Sequence, residues 1–448
     1  MSTLSLRVKP AWLVGLALLV AAGFVLRLAF ALTAFSPANQ PIGYVAQDEM
    51  SNYNLRSGNE VLFRGQYERE FWSGTVLAYP IDAQGNLTGG TAWWSGGDAS
   101  EMISLQNLDT ERLIATMKDD GTAVAFRLSN LSPTQQGYLS SDAVVNYLRG
   151  DRSNEVQNAG GTLRQRASAL GDIVHSRPYY VADSTNPTLF VGGNDGMLHA
   201  INAAQGIDGG KERWAYVPSM LLPKMKKLSD TTYTHDYYVD GQINIATILS
   251  GSKRILVGAL GGGGKGLYAL DITDSAGLTA TTEAGVASKV KWELTPTKLN
   301  YADPATVNAF VNLGYTYGTV TLAKVGGVDA VIVGNGYNDG VGSYSGCTHG
   351  TPGYANCGGN YAAYLYVINA DTGQLIKRFK AGADGTGASP NGLSTPVAID
   401  TDGDGSVDRV YAGDLNGTMW KFNLNDASDS AATLLLATTG NQAITSTP

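Results

Sequence analysis

The chain is poor in cysteine, histidine and charge. Its 448 residues hold only two cysteines, Cys347 and Cys357, too few for a disulfide scaffold or a thiolate zinc site. Four histidines (His175, His199, His235 and His349) stand without metal-ligand spacing, so core or loop positions are expected for them. Charged residues make up 16% of the chain, the net charge is −8, and no dense basic run occurs. That balance argues against nucleic acid as a partner. No Ser-His-Asp order or nucleophile elbow stands out, so no catalytic residue is nominated. Long apolar runs are scarce too. The one at the N-terminus, Ala11 to Leu26, follows Arg7 and Lys9 and precedes the small residues Ala29, Ala31 and Ala34. Arg27 ends it after about 16 residues, short of the ~20 a membrane span needs. Residues 1–34 therefore read as an export signal, with an uncleaved membrane anchor as the alternative. Either way the rest of the chain is expected in the periplasm or outside, where Cys347 and Cys357 could close a small loop disulfide.

Glycine is what the chain has in plenty: 56 residues, about one in eight, against a usual ~7%. With weak helical periodicity after residue 40, apart from a short helix expected around 140–148, this predicts many tight turns between short strands. A unit recurs. Leu189-Phe-Val-Gly-Gly193 leads through Asn194-Asp195-Gly196 into Met197–Ile201, and Ile255–Gly258 leads through a glycine run into Leu267–Asp271. Val331–Gly334 leads through a long insertion into Tyr364–Asn369, and Val410–Gly413 leads through Asp414-Leu-Asn416-Gly417 into Thr418–Asn423. Each is an apolar strand ending in glycine, a turn, and a second strand. Asn-Gly and Asp-Gly favour hairpins because they accept positive φ. Ser-x-Pro marks the start of units at His175-Ser-Arg-Pro178, Leu393-Ser-Thr-Pro396 and Thr445-Ser-Thr-Pro448. Segments 75–81 and 113–126, the latter turning at Asp120-Gly121, are expected to be further hairpins. The pattern predicts an all-β fold, a β-propeller over residues 71–448 with a linker at 35–70. A β-sandwich pair is the alternative. Because the last Ser-x-Pro falls on the final residues, another blade is expected to begin there, and ring closure to need more chain or a partner.

The strongest chemical signal is Asp400-Thr-Asp402-Gly-Asp404-Gly405-Ser406-Val-Asp408. Oxygen ligands fall at positions 1, 3, 5 and 9, with glycine at position 6 for the sharp turn. That pattern suits a hard divalent cation, calcium above all. The side chains of Asp400, Asp402, Asp404 and Asp408 are the expected ligands, with the Ser406 carbonyl at position 7. Position 12 is Tyr411, so the EF-hand glutamate is missing, and the flanking runs are strand-like. The bland alternative is an acidic solvated turn. Arg149-Gly150-Asp151 has the form of an integrin-binding tripeptide, but its neighbours favour a structural turn that pairs Arg149 with Asp151. The aromatic pairs Trp93-Trp94, Tyr179-Tyr180 and Tyr237-Tyr238 are expected between blades, with one ring of a pair free to face solvent.

Several long motifs, in order, resemble one family. They are Leu170-Gly-Asp-Ile-Val-His-Ser-Arg-Pro178, Phe190-Val-Gly-Gly-Asn-Asp-Gly-Met-Leu-His-Ala200, Trp214-Ala-Tyr-Val-Pro218, Gly262-Gly-Gly-Lys-Gly-Leu-Tyr-Ala-Leu-Asp271 and the 400–408 loop. From about Trp72 onward the chain is similar to the C-terminal domain of the PilY1/PilC type IV pilus tip proteins. The resemblance implies a modified, quinoprotein-like β-propeller at the bacterial surface. It also implies calcium on Asp400, Asp402, Asp404, Ser406 and Asp408, and partners among the pilins and the host cell surface. A role in pilus assembly, extension against retraction, and adhesion would follow. Members usually carry a large N-terminal region. Here only some 35 residues separate the apolar segment from the propeller, so roles attached to that region are not carried over. An alternative is a pyrroloquinoline-quinone-type dehydrogenase, whose docking pattern Ala370-Asp-Thr-Gly-Gln374 resembles. In those enzymes calcium sits on the central axis with ligands from different blades, whereas a compact loop coordinates its cation locally. The expectation is therefore a binding protein and no enzyme.

Overall fold

The computed structural model describes residues 44–46, 55–56, 61–82, 84, 86–87, 93–273, 277–296, 310–339, 361–425 and 432–448. Residues 1–34, expected from sequence to be an export signal, lie outside the described residues, as do Cys347, Cys357 and His349. The chain divides into Met1–Tyr44 and Val45–Pro448, and every element discussed below belongs to the second unit. Among the described residues no helix is long and apolar enough to cross a membrane.

Strands dominate, grouped into successive sheets. Sheet I is built on the hairpin Val61–Glu68 and Ser73–Pro80, with Leu55–Arg56 alongside. Val61–Glu68 lies in the stretch that reads as a linker from sequence. Sheet II runs Tyr179–Val181, Thr188–Gly193, Met197–Asn202, Glu212–Val217, and continues into Ile114–Met117 and Ala123–Ala125. Sheet III is Ile243–Ile248, Lys253–Ala259, Leu267–Asp271 and Val290–Leu294. Sheet IV is Thr321–Val325, Val328–Gly334, Ala363–Asn369 and Leu375–Ala381. Sheet V is Val397–Ile399, Arg409–Gly413, Thr418–Asn423 and Thr433–Ala437. Sheets III to V are antiparallel and four-stranded in sequence order, the form of a propeller blade.

Period-2 alternation explains why these sheets stack. In sheet III, Leu256 turns toward sheet II and joins Phe190, Leu198 and Trp214. Its neighbours Ile255 and Val257 turn the other way and join Val331, Val333 and Tyr366 of sheet IV. In the same manner Ile332, Leu365 and Phe379 of sheet IV meet Val410 and Phe422 of sheet V. Val61, Phe63 and Val76 of sheet I meet Leu189 and Val191 of sheet II. Sheets II, III and IV are thus apolar on both faces and cannot be stable alone.

The strand-ending glycines have a steric cause. A Cβ on Gly192 would lie 2.3 Å from the Val239 carbonyl oxygen, and one on Gly334 would lie 2.3 Å from that of Ser394. The chain entering the next sheet crosses there, and only glycine leaves room. Ser-x-Pro serines pin these crossings: Ser176 Oγ accepts from Gly192 N at 2.8 Å, and Ser394 Oγ donates to the Gly413 carbonyl at 2.9 Å.

Three sequence expectations need correction. Segment 75–81 is no hairpin of its own but falls in the second strand of the sheet I hairpin, whereas segment 113–126 is the expected hairpin turning at Asp120-Gly121. Its strand Ile114–Met117 pairs in parallel with Glu212–Val217 and widens sheet II to six strands. Short helices also occur beyond the expected one, which runs Asp142–Leu148. Ala99–Leu105 and Pro133–Leu139 each carry a full capping box, Asp98 with Glu101 and Ser132 with Gln135. Two turns are too short to show a period, so the caps were the only signal. Finally, Arg149 does not pair with Asp151. It is buried, 2.7 Å from Glu283, and donates to the carbonyls of Leu108 and Arg112. The tripeptide is structural, as read, through a different acid.

Candidate metal centre

The 400–408 loop joins the first two strands of sheet V, where Ile399 pairs with Arg409. It is closed at its base and open at its tip. Asp408 N donates to the Ile399 carbonyl at 3.0 Å, and Leu424 N donates to the Asp408 carbonyl at 2.8 Å. On the other side the loop is tied to sheet IV. Val407 N donates to the Lys324 carbonyl at 2.7 Å, and Ser406 Oγ accepts from Gly326 N at 2.8 Å. Val407 sits in the core between the two sheets. The loop therefore clips blade V to blade IV. Gly403 and Gly405 take φ of 80° and 87°, the left-handed region where glycine carries no steric cost.

Asp400, Asp402 and Asp408 each bring a carboxylate oxygen to within 4.8 Å of the others. Asp404 stands outside that group, and its Oδ1 accepts from Ser406 N at 2.7 Å. Asp400 accepts from Gly403 N at 2.6 Å and from Gly405 N at 2.8 Å, which holds its carboxyl below the usual range. Asp408 is buried. The Thr401 hydroxyl and N–H and the Asn425 amide all donate to it and hold its carboxyl down to about 2. Among the described residues no lysine or arginine forms an ion pair with these four aspartates. An ionised, uncompensated carboxylate group on a pre-curved loop is what a hard cation with oxygen ligands requires. The residues fit such an ion.

The described histidines sit elsewhere, as expected. His199 is fully buried, with Nδ1 2.7 Å from Glu212 and Nε2 3.1 Å from Asp195. Burial opposes its charged form, but the carboxylates on both ring nitrogens outweigh that and carry it up to about 9. Arg112 forks onto Glu212 with two 2.9 Å bonds. Burial works to raise Glu212, yet Arg112 and His199 pull it down to about 2. His175 bonds Asp240 at 2.7 Å and His235 bonds Asp172 at 2.8 Å. Of the aromatic pairs, Trp93 and Trp94 are both buried, whereas Tyr238 is buried and Tyr237 half-buried. Sequence reasoning missed Asn425 and Lys324 as supports of the loop. Neither carries a signal short of the folded register.

Comparison with known proteins adds a family. A family model described as the PilY1 beta-propeller domain matches residues 173–443. A type IV pilus biogenesis factor PilY1 homolog of Xylella fastidiosa is 32% identical over 420 residues, 87% of this chain and 29% of that protein. The type IV pilus biogenesis factor PilY1 of Pseudomonas aeruginosa strain PAK is 30% identical over 413 residues, 81% of this chain and 31% of that protein. The chain thus spans about three-tenths of the length of these relatives. Among solved structures, the Pseudomonas aeruginosa PilY1 C-terminal domain aligns with 27% identity and a TM-score of 0.39, covering 59% of this chain and 49% of its own. A quinohemoprotein alcohol dehydrogenase from Comamonas testosteroni aligns with 13% identity and a TM-score of 0.35, covering 88% and 46%.

Proposed function

This chain belongs to the PilY1 β-propeller family, and on that premise we propose that it is an exported, calcium-binding component of type IV pilus assembly, a binding protein without catalysis. The observation that carries the calcium reading is the convergence of Asp400, Asp402 and Asp408 to within 4.8 Å on a loop bonded to the neighbouring blade. Calcium supplies charge neutralisation there. Asp400, Asp402 and Asp408 would hold it, with Asp404 and the Ser406 carbonyl completing the set after local adjustment. Without a cation the three carboxylates repel one another, and their oxygens are shared out among backbone amides of the loop, the Thr401 hydroxyl and the Asn425 amide. Relief of that repulsion stiffens the clip between sheets IV and V and the strands Arg409–Asn423 beyond it, by mass action on the ordered form. A stiffened blade edge then presents a different surface to pilin subunits, which biases pilus extension against retraction.

All the loop carboxylates come from a single strand connection, which favours a structural cation over one serving a cofactor on the propeller axis. The test is Asp402→Asn in the native host. Calcium affinity by calorimetry should fall, and surface pilus number and retraction should change with it. Lost calcium affinity with unaltered piliation and retraction would overturn the regulatory reading.

A further inference from the structure

A second feature lies at the opposite end of the sheets from the calcium loop. In an antiparallel blade, the connections after the first and third strands share one end, and those before the first and after the second share the other. The 400–408 loop is of the first kind. The segments leading into sheets II, III and IV are of the second, and they carry His175, Tyr237 and Tyr317 respectively.

Aromatic rings form a track of two groups across this end. Trp72, at the tip of the sheet I hairpin, packs with its ring centroid 3.8 Å from that of His235. The His235 ring meets Tyr237 edge-on at 4.9 Å, and Tyr237 lies 5.4 Å from His175. Beyond it Tyr315 stacks on Tyr317 at 6.2 Å and contacts Tyr337 at 6.3 Å. The glycine run of sheet III lies between the two groups: Thr316, flanked by Tyr315 and Tyr317, accepts from Leu260 N at 3.0 Å and donates to the Gly266 carbonyl at 2.9 Å. Gly262 opens the floor, since a Cβ there would sit 3.0 Å from the Tyr237 ring. Trp72 holds a φ of 50°, a strained conformation for a bulky residue of the kind that clusters at ligand sites.

The chemistry of the track selects its ligand. Its histidines are oriented from behind by the buried carboxylates Asp240 and Asp172. Asp240 engages Nδ1 of His175, leaving Nε2 of this half-exposed ring as a polar contact for a ligand. The acids each face a nitrogen side chain: Asp240 meets His175, Asp172 meets His235, and Asp339 meets Lys265. The exposed large hydrophobic side chains on these loops are Tyr317 and Tyr337, at 60% and 39%, whereas exposed leucines such as Leu434 lie on other elements. Tyrosine faces flanked by hydroxyls and imidazoles, without aliphatic anchors, suit a molecule with apolar C–H faces and many neutral hydroxyls. We propose that this track is a binding site for a neutral saccharide, stacked on Tyr237 and Tyr317 and hydrogen-bonded by His175.

The test is saturation-transfer NMR on the full chain with lactose, maltose, cellobiose and mannobiose at millimolar concentration, with sialyllactose and a proline-rich peptide as competitors. At least one neutral disaccharide should receive transfer at its ring C–H protons. Tyr317→Ala, at an exposed site that leaves the fold intact, and Tyr237→Ala should each weaken it about tenfold. Binding should persist when calcium is chelated, which separates this site from the cation loop. Absence of transfer to every neutral disaccharide, or preference for either competitor, would overturn the proposal. So would full affinity in the folded Tyr237→Ala/Tyr317→Ala variant, or loss of binding on chelation.

Discussion

Replacing Glu212 by alanine tests the electrostatics of sheet II most sharply. Its carboxylate is fully buried, takes two 2.9 Å bonds from Arg112 and lies 2.7 Å from His199 Nδ1. Truncation leaves the guanidinium with the Arg149 carbonyl at 2.5 Å and the imidazolium with Asp195 alone. Breaking a buried pair in this way costs about 3–5 kcal/mol, because an uncompensated charge is left in the core. Glu212→Gln should cost nearly as much, since it turns a donor toward Arg112 or His199. The pH dependence follows in sign. The His199 pKa is raised, so its contribution is fully present below about 6.5 and is lost as pH climbs through about 9. At 1.36 kcal/mol per unit that is about 3 kcal/mol between neutrality and strong alkali. Glu212 is depressed, so its share is present above about 4.5 and lost as pH falls through about 2. Urea unfolding of the full chain, followed by tryptophan fluorescence at about pH 3, 7 and 10, reads both effects. The native chain should weaken at pH 10, and the Glu212→Ala variant should lose its stability nearer neutrality. A variant within about 1 kcal/mol of native, with unaltered pH dependence, would refute the reasoning.

Other outcomes are as definite. Gly334→Ala should destabilise by about 1–3 kcal/mol in thermal unfolding, because its Cβ meets the backbone oxygens of Ser394 and Leu393 at 2.3 and 2.5 Å. Phe379→Ala, which opens the core between sheets IV and V, should cost about 3–5 kcal/mol and leave the sheet I and II amides protected in hydrogen exchange. Asp408→Asn should speed exchange at Thr401, Gly403 and Val407, since the carboxylate that gathers the loop base is gone. Unchanged exchange there would mean that the loop is held by its backbone alone.

The repeated hairpins were legible because each carries its own local code: an apolar strand ending in a glycine at the crossing and a second apolar strand, with an Asp-Gly or Asn-Gly turn in the first and last. All four strand pairs found from sequence, ending at Gly193, Gly258, Gly334 and Gly413, are paired strands in the structure. The loop was legible for the same reason, since spacing within nine residues fixes what can converge. What the spacing could not show is that Asp404 turns back onto Ser406 N while Asp408 reaches forward to Asn425. The parallel joining of Ile114–Met117 to Glu212–Val217 spans about a hundred residues and leaves no local trace. Nor does the meeting of Arg112, Asp195, His199 and Glu212, where a lone histidine in an apolar strand was the one hint. The aromatic track draws on residues from Trp72 to Tyr337, which only stacking of the sheets brings together.

The decisive measurement is calorimetric titration of the full chain with calcium and then with magnesium, alongside thermal unfolding in each. One saturable calcium site with weak magnesium binding, lost in Asp402→Asn, is the predicted result. A ligand at a thousand times its Kd should raise stability by about 4 kcal/mol, so calcium should delay unfolding of the native chain and leave the variant unmoved. Equal response to both ions, or a calcium response that survives Asp402→Asn, would contradict the account.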